Sequence, residues 1–220
     1  MKRCPWLAPL CGAVLSGCAV LSGGATAPAR AWHELFDGRS LGAFAITEFG
    51  GQGEVSVRDH RLQLGIGSPL TGVTWTGPLP LGDYELEVVA ARELGGDFFC
   101  GITFPVGEAH LTLVLGGWGG SVCGLSSLDG NDAAHNHTRC LRRFTLGTDY
   151  RVQIVVRSDH VQCRLDGEAL CATPIRPHAL GLRPEMNLSR PLGIASFATA
   201  ASVQSARWRA LDSQPVNNPR

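Results

Sequence analysis

The chain has 220 residues, and its 19 basic and 19 acidic side chains give a formal net charge of zero. With no basic block or stripe, it lacks the electrostatic footprint of a nucleic-acid binder. Lys2 is the only lysine. Once a leader carrying it is removed, Schiff-base catalysis, a phosphate-loop lysine and a lysine general base are all excluded.

The start of the chain carries Lys2-Arg3, an apolar run from Trp6 to Leu15 and then small residues. A basic start and an apolar run too short to span a bilayer predict a secretory signal over residues 1–18. The ending Leu15-Ser16-Gly17-Cys18 resembles the lipobox of bacterial lipoproteins. That resemblance implies lipidation of Cys18 and an extracytoplasmic protein of the bacterial cell envelope, anchored by acyl chains in the periplasm or at the outer membrane. Ala25-Thr26-Ala27 supports a second reading, a secreted protein cut after Ala27. Residues 19–30 read as a flexible tether, 31–211 as the folded domain and 212–220 as a disordered tail.

The folded part reads as short strands without a convincing helix. Glu54–Asp59 and Arg61–Ile66 alternate around a turn. Tyr84, Leu86 and Val88 share one face of a strand, with Glu85 and Glu87 on the other. Leu111, Leu113 and Leu115 alternate with Thr112 and Val114, and Tyr150, Val152, Ile154 and Val156 repeat the pattern. Val161–Leu165, Glu168–Thr173, Leu192–Phe197 and Ser202–Ala210 complete the series. Period-two alternation, with 28 glycines and 13 prolines for turns, predicts an all-β antiparallel sandwich.

Besides Cys18, the part after the leader holds Cys100, Cys123, Cys140, Cys163 and Cys171, an odd number that leaves one thiol unpaired within the chain. No CxxC spacing occurs, which argues against a zinc ribbon or a thioredoxin-like site. Cys163 and Cys171 flank the turn signal Asp166-Gly167 and are the candidate disulfide. Whether the two face each other depends on the loop length, which the sequence leaves open.

From Trp32 the chain becomes recognisable. Leu35-Phe36-Asp37-Gly38-Arg39-Ser40-Leu41 resembles the opening of the 3-keto-disaccharide hydrolase family, formerly a bacterial domain of unknown function. The similarity continues through Leu81-Gly82-Asp83-Tyr84-Glu85-Leu86, Cys100-Gly101-Ile102, Leu165-Asp166-Gly167 and Pro191-Leu192-Gly193-Ile194, and so covers residues 32–211. It implies a concanavalin A-like (lectin/glucanase) jelly roll acting on glycosides already oxidised to a ketone at C3. The ketone acidifies the C2 proton, so the glycosidic bond leaves by elimination and water then adds. Such a reaction needs a base near C2, donors for the enolate and an acid for the leaving oxygen. Family members commonly carry an acidic residue, a histidine and a glycine after the strand near the C-terminus. Here that strand continues Ala195-Ser196-Phe197-Ala198 without a titratable group. The catalytic residue expected there is missing or supplied from elsewhere. A lectin-like, non-catalytic carbohydrate-binding module is the second reading.

The most polar loop is Asp129-Gly130-Asn131-Asp132-Ala133-Ala134-His135-Asn136-His137. Asp129 and Asp132 are candidate bases, and His135 and His137 candidate donors to an oxyanion. The same composition also suits a solvated turn. Asp97, which precedes a strand, is the fifth catalytic candidate. Trp118 among four glycines, and Trp75 on a predicted strand, are candidate sugar platforms, although either suits a core as well. Glu48 and Asn136 complete the candidate substrate-binding set. Glu85 and Glu87 read as a solvated outer face. No metal site is assigned and no cofactor is required. The loop carboxylates could hold calcium, and His135, His137 and Cys140 are three possible soft ligands, although no second cluster supports zinc.

Overall fold

The computed structural model describes residues 30–212. The expected leader with its lipidated Cys18, nearly all of the tether and the tail beyond Asp212 lie outside the described residues. Fifteen strands follow one another: β1 (His33–Phe36), β2 (Phe44–Ile46), β3 (Val55–Arg58), β4 (Arg61–Leu64), β5 (Leu70–Trp75), β6 (Tyr84–Gly95), β7 (Cys100–Val106), β8 (Ala109–Gly116), β9 (Val122–Ser126), β10 (Cys140–Leu141), β11 (Asp149–Val156), β12 (His160–Leu165), β13 (Glu168–Pro174), β14 (Gly193–Phe197) and β15 (Thr199–Ala210). A short helical turn, Gly117–Gly120, and a 3₁₀ segment, Pro184–Ser189, interrupt them.

The strands form two antiparallel sheets. The first runs β13-β12-β11-β6-β15-β4-β3, with β1 also pairing to β15. The second runs β10-β9-β8-β7-β14-β5-β2. Alternation along each strand puts one set of side chains between the sheets. Leu86 and Val88 of β6, with Val152 and Ile154 of β11, meet Ile102 and Phe104 of β7 and Leu111, Leu113 and Leu115 of β8 in one core. Such face-to-face packing of alternating strands is what a sandwich needs to bury both inner faces. The buried Tyr84 hydroxyl donates to the Pro105 carbonyl at 2.5 Å and so links β6 to the end of β7.

The outer face of the first sheet departs from the solvated surface expected at Glu85 and Glu87. Both are buried, at 7% and 4% exposure. Arg209 donates to Glu85 through Nε at 2.8 Å, and Arg207 to Glu87 through Nε and Nη2 at 3.0 and 2.7 Å. Arg151 adds a bond to Glu87 at 3.0 Å. The Trp32 ring lies 4.5 Å from both the Arg207 and Arg209 guanidinium carbons. Because β15 and β11 flank β6 in register, opposite charges stand side by side, and the aromatic ring packs on the two guanidinium groups of β15.

Candidate functional site

The outer face of the second sheet is built from small side chains. Inward-facing Cys100, Ile102, Leu113, Leu125 and Ile194 alternate with outward-facing Gly101, Thr103, Thr112, Val114, Gly124, Ser126 and Ala195. A floor of such residues leaves space above it. The 3₁₀ segment crosses that space and sets Met186 against Leu70 and Ala195 of the sheet. Beside it remains a cavity of about 180 Å³, lined by Asp97, Phe98, Thr112, Val114, Trp118, Ser126, Arg183, Glu185, Met186 and Phe197. It is smaller than the roughly 300–1,000 Å³ of drug-sized ligand sites, which suits a small ring better than a long chain.

One wall is a glycine turn. Gly116, Trp118, Gly119 and Gly120 all have positive φ, between 48° and 101°. The Arg92 guanidinium lies inside this turn. Its Nη2 reaches the carbonyl oxygens of Asp97 (3.1 Å), Gly116 (3.1 Å) and Gly120 (3.0 Å). The same cation sits 5.3 Å from the Phe99 ring centre and 5.7 Å from that of Phe144. Burial pushes its pKa down, opposed by the nearby Asp97 carboxylate. Asp97 closes the turn from the other side. Its Oδ1 accepts from the Phe98 amide at 2.8 Å and its Oδ2 from the Gly119 amide at 3.4 Å, while its own amide donates to Thr199 Oγ1. The result is a Trp118 ring held at the cavity mouth, 39% exposed.

The opposite wall is charged. Arg183 donates through Nε to Glu185 at 2.5 Å and through Nη1 to Asp132 at 2.8 Å. The two carboxylates raise its pKa, Glu185 most, so it stays cationic. A further polar group is the Ser126 hydroxyl. It lines the cavity at 2% exposure and has no hydrogen-bond partner. A buried hydroxyl without a partner is an unfilled bonding position.

Of the five catalytic candidates, only Asp97 lines this cavity. Asp132 reaches it indirectly, by holding Arg183. Its other oxygen takes His135 Nδ1 at 2.6 Å and the Ala134 amide at 3.0 Å. His135 points outward, with its side chain 69% exposed. Asp129 pairs with His178 Nδ1 at 2.6 Å and accepts from the Ala179 amide at 2.7 Å, and these bonds hold its carboxyl below its ordinary pKa. His137 stacks on His178 and meets Thr173 through Nε2 at 3.1 Å.

The four substrate-binding candidates separate in the same way. Trp118 lines the cavity. Asn136 is used inside its own loop: its Nδ2 donates to the carbonyls of Leu125, Asn131 and Asp132, and its Oδ1 accepts from Thr138. Trp75 packs edge-on against Phe44 and donates to the Pro78 carbonyl. Glu48 accepts from Gln52 on an exposed loop. Arg183, Glu185, Ser126 and His178 were not singled out from the sequence. Arg183 and Glu185 flank a proline, and His178 lies 49 positions from its partner Asp129. Nothing local marks them. Among the described residues, no group of three or more His, Cys, Asp or Glu side chains is arranged to hold a metal ion. Nor is any described helix long and apolar enough to cross a membrane.

No family model matches the chain, and no curated protein matches it. Solved structures do. The fold is similar to the Crh5 transglycosylase in complex with NAG, with a TM-score of 0.58 at 13% identity over 84% of this chain and 86% of that one. It is similar to a structure from the endo-acting O-glycanases with which members of the human gut microbiota initiate mucin breakdown (TM-score 0.56, 14% identity, 82% and 100% coverage). It is also similar to the exoplasmic/lumenal domain of VIP36 in its Ca²⁺/Man3GlcNAc-bound form (TM-score 0.55, 10% identity, 84% and 91% coverage). At these identities the likeness is one of fold. The chain is an all-β, concanavalin A-like jelly-roll sandwich, an architecture that glycan-processing enzymes and lectins share.

Proposed function

We propose that this protein takes a sugar ring into the cavity on the outer face of its second sheet, and that it acts there as a hydrolase of the elimination and hydration type on 3-keto glycosides or related sugars. The observation that carries the reading is the lining of that cavity. A half-exposed indole, an unpartnered buried hydroxyl, a guanidinium and two carboxylates converge on a space about one ring wide. An apolar ring face suits Trp118, and the hydroxyl edge suits Ser126 and Arg183.

The groups match the chemical demands of elimination. Asp97 and Glu185 are the carboxylates available to take the C2 proton and return one to the leaving oxygen. Arg183, held cationic by Asp132 and Glu185, is the donor for the enolate oxygen. The carboxylate pair of an ordinary glycosidase is not required. The strand β14 and the residue after it carry no titratable group, and Phe197 lines the cavity there, so the proton-transfer groups come from the other walls. Similar folds that process or bind glycans support a sugar as the ligand. The lipobox-like leader supports an extracytoplasmic, lipid-anchored placement.

The apolar part of the lining, Phe98, Val114, Met186 and Phe197, favours a second reading: a lectin-like module that binds without turnover. Product formation decides between them. The protein is incubated with 3-keto-trehalose and 3-keto aryl glucosides beside the unoxidised parents, with binding measured in the same preparation. Cleavage of the ketones alone supports the elimination reading. Saturable binding without cleavage supports the module, and neither result removes both.

A further inference from the structure

Four of the five described cysteines stand in two cross-strand pairs. Cys123 of β9 lies directly opposite Cys140 of β10, and Cys163 of β12 directly opposite Cys171 of β13. Residues facing each other across an antiparallel ladder have Cα atoms about 4.5–5.5 Å apart, inside the range a disulfide bridges. The fifth, Cys100, is fully buried, and desolvation pushes its thiol up to about 12. The odd cysteine count is thereby explained by position.

We infer that Cys123 and Cys140 form a disulfide that fastens β9 to the far end of the polar loop 127–139 that follows it, beside a second bridge between Cys163 and Cys171. The loop so closed holds Asp132, which positions Arg183 at the cavity, and Asp129, which pairs with His178. Its two ends are otherwise joined by the two-residue strand β10 and by hydrogen bonds of Leu125 with Thr138 and Asn136. A covalent closure there adds to the backbone and side-chain hydrogen bonds that tie the segment, and it restricts the freedom the segment gains when those bonds open.

Cys140 is the entry thiol. It is partly exposed, whereas Cys123 is buried. The neighbouring Cys123 thiol and Arg142 bring its pKa down to about 7, which favours the thiolate that attacks a disulfide. The reaction is thiol–disulfide exchange with a small-molecule or protein disulfide donor. The Cys140 thiolate attacks one donor sulfur, and the donor's other sulfur leaves as a thiolate. Cys123, losing its proton, then attacks Cys140 Sγ and expels the remaining donor thiolate. Two protein thiols become one disulfide, and the donor disulfide is reduced to two thiols. Cys163 and Cys171 exchange in the same way.

The test uses the full chain, reduced and then exposed to oxidised glutathione, followed by non-reducing peptide mapping and thiol alkylation under denaturing conditions. The expected map links Cys123 to Cys140 and Cys163 to Cys171, with Cys100 alkylated. Crossed links between the pairs, or alkylation of Cys123 and Cys140 after oxidation, would overturn the inference. A Cys140→Ser variant is expected to lose the first link, keep the second, and exchange amide hydrogens of residues 127–138 at least several-fold faster than the oxidised chain. Unchanged exchange in that loop would remove its role as a clasp. Because oxidation is done in vitro, the result stands apart from the proposed cellular placement and from sugar turnover.

Discussion

At the scale of single residues, Trp118 and Asp129 play different parts although both were singled out together. Trp118 contributes an aromatic face at the cavity mouth and little to the core. Trp118→Ala is therefore expected to weaken sugar binding by about 1 kcal/mol, roughly fivefold in Kd, with the thermal midpoint nearly unchanged. Calorimetric titration of the variant checks this, and an unchanged Kd would place the ring outside the site. Asp129 is an electrostatic tie. Its hydrogen bonds from His178 and the Ala179 amide depress its pKa in the folded state. The stabilisation is present above the unfolded carboxylate value of about 3.9 and is lost as pH falls through the lower folded value. A carbon-detected NMR titration should put the Asp129 midpoint below about 3.9, and Asp129→Asn should flatten that part of the acid limb. A midpoint at or above the ordinary value means the His178 pairing does not persist in solution.

At the scale of elements, the cavity depends on a turn that only glycine makes readily. Gly116 has φ of +75°, and a Cβ there would stand 2.2 Å from Arg92 Nη2. Gly116→Ala must strain the backbone and push the guanidinium off its three carbonyls. A loss of roughly 1–3 kcal/mol of stability follows, together with weaker ligand binding, since the turn carries Trp118. Chemical denaturation and a binding titration on the same sample read both. Wild-type stability in this variant would show that the Arg92 clasp is not what shapes the turn. The 3₁₀ segment forms the other half of the site. Its Arg183-Pro184-Glu185 sequence places a cation and an anion on the two sides of a proline, above a floor of threonine, serine, glycine and alanine.

At the scale of the whole molecule, the two sheets have opposite outer faces. The second carries small residues and a cavity, and the first a layer of buried glutamates paired with partly exposed arginines. Glu87 is central to that layer, taking Arg207 and Arg151 together. Glu87→Leu leaves these guanidinium groups without their anion. We expect a cost of about 2–3 kcal/mol, the low side of the usual range for a broken buried pair because Arg151 is half-exposed. Thermal unfolding of this variant should show a clear drop with no change in sugar binding, since the cavity lies on the other sheet. Reduced binding with intact stability would mean that the first sheet also takes ligand.

The sequence by itself determined the all-β class and most of the long strands, because alternation at β6, β8, β11 and β12 reports directly which side chains are buried. It also marked Trp118 and Asp97, since a tryptophan among glycines and an aspartate just ahead of an apolar strand are local signals. It misread Glu85 and Glu87 as solvated, because the arginines that cover them come from β15 and β11, far along the chain. Only the tertiary structure decided which polar residues share a site. Arg183, Glu185 and Ser126 reach the cavity from two distant segments, and Asn136 is used up within its own loop. Pairing across sheets and the crossing of a sheet by a 3₁₀ segment are long-range events, and period-two patterning carries no record of them.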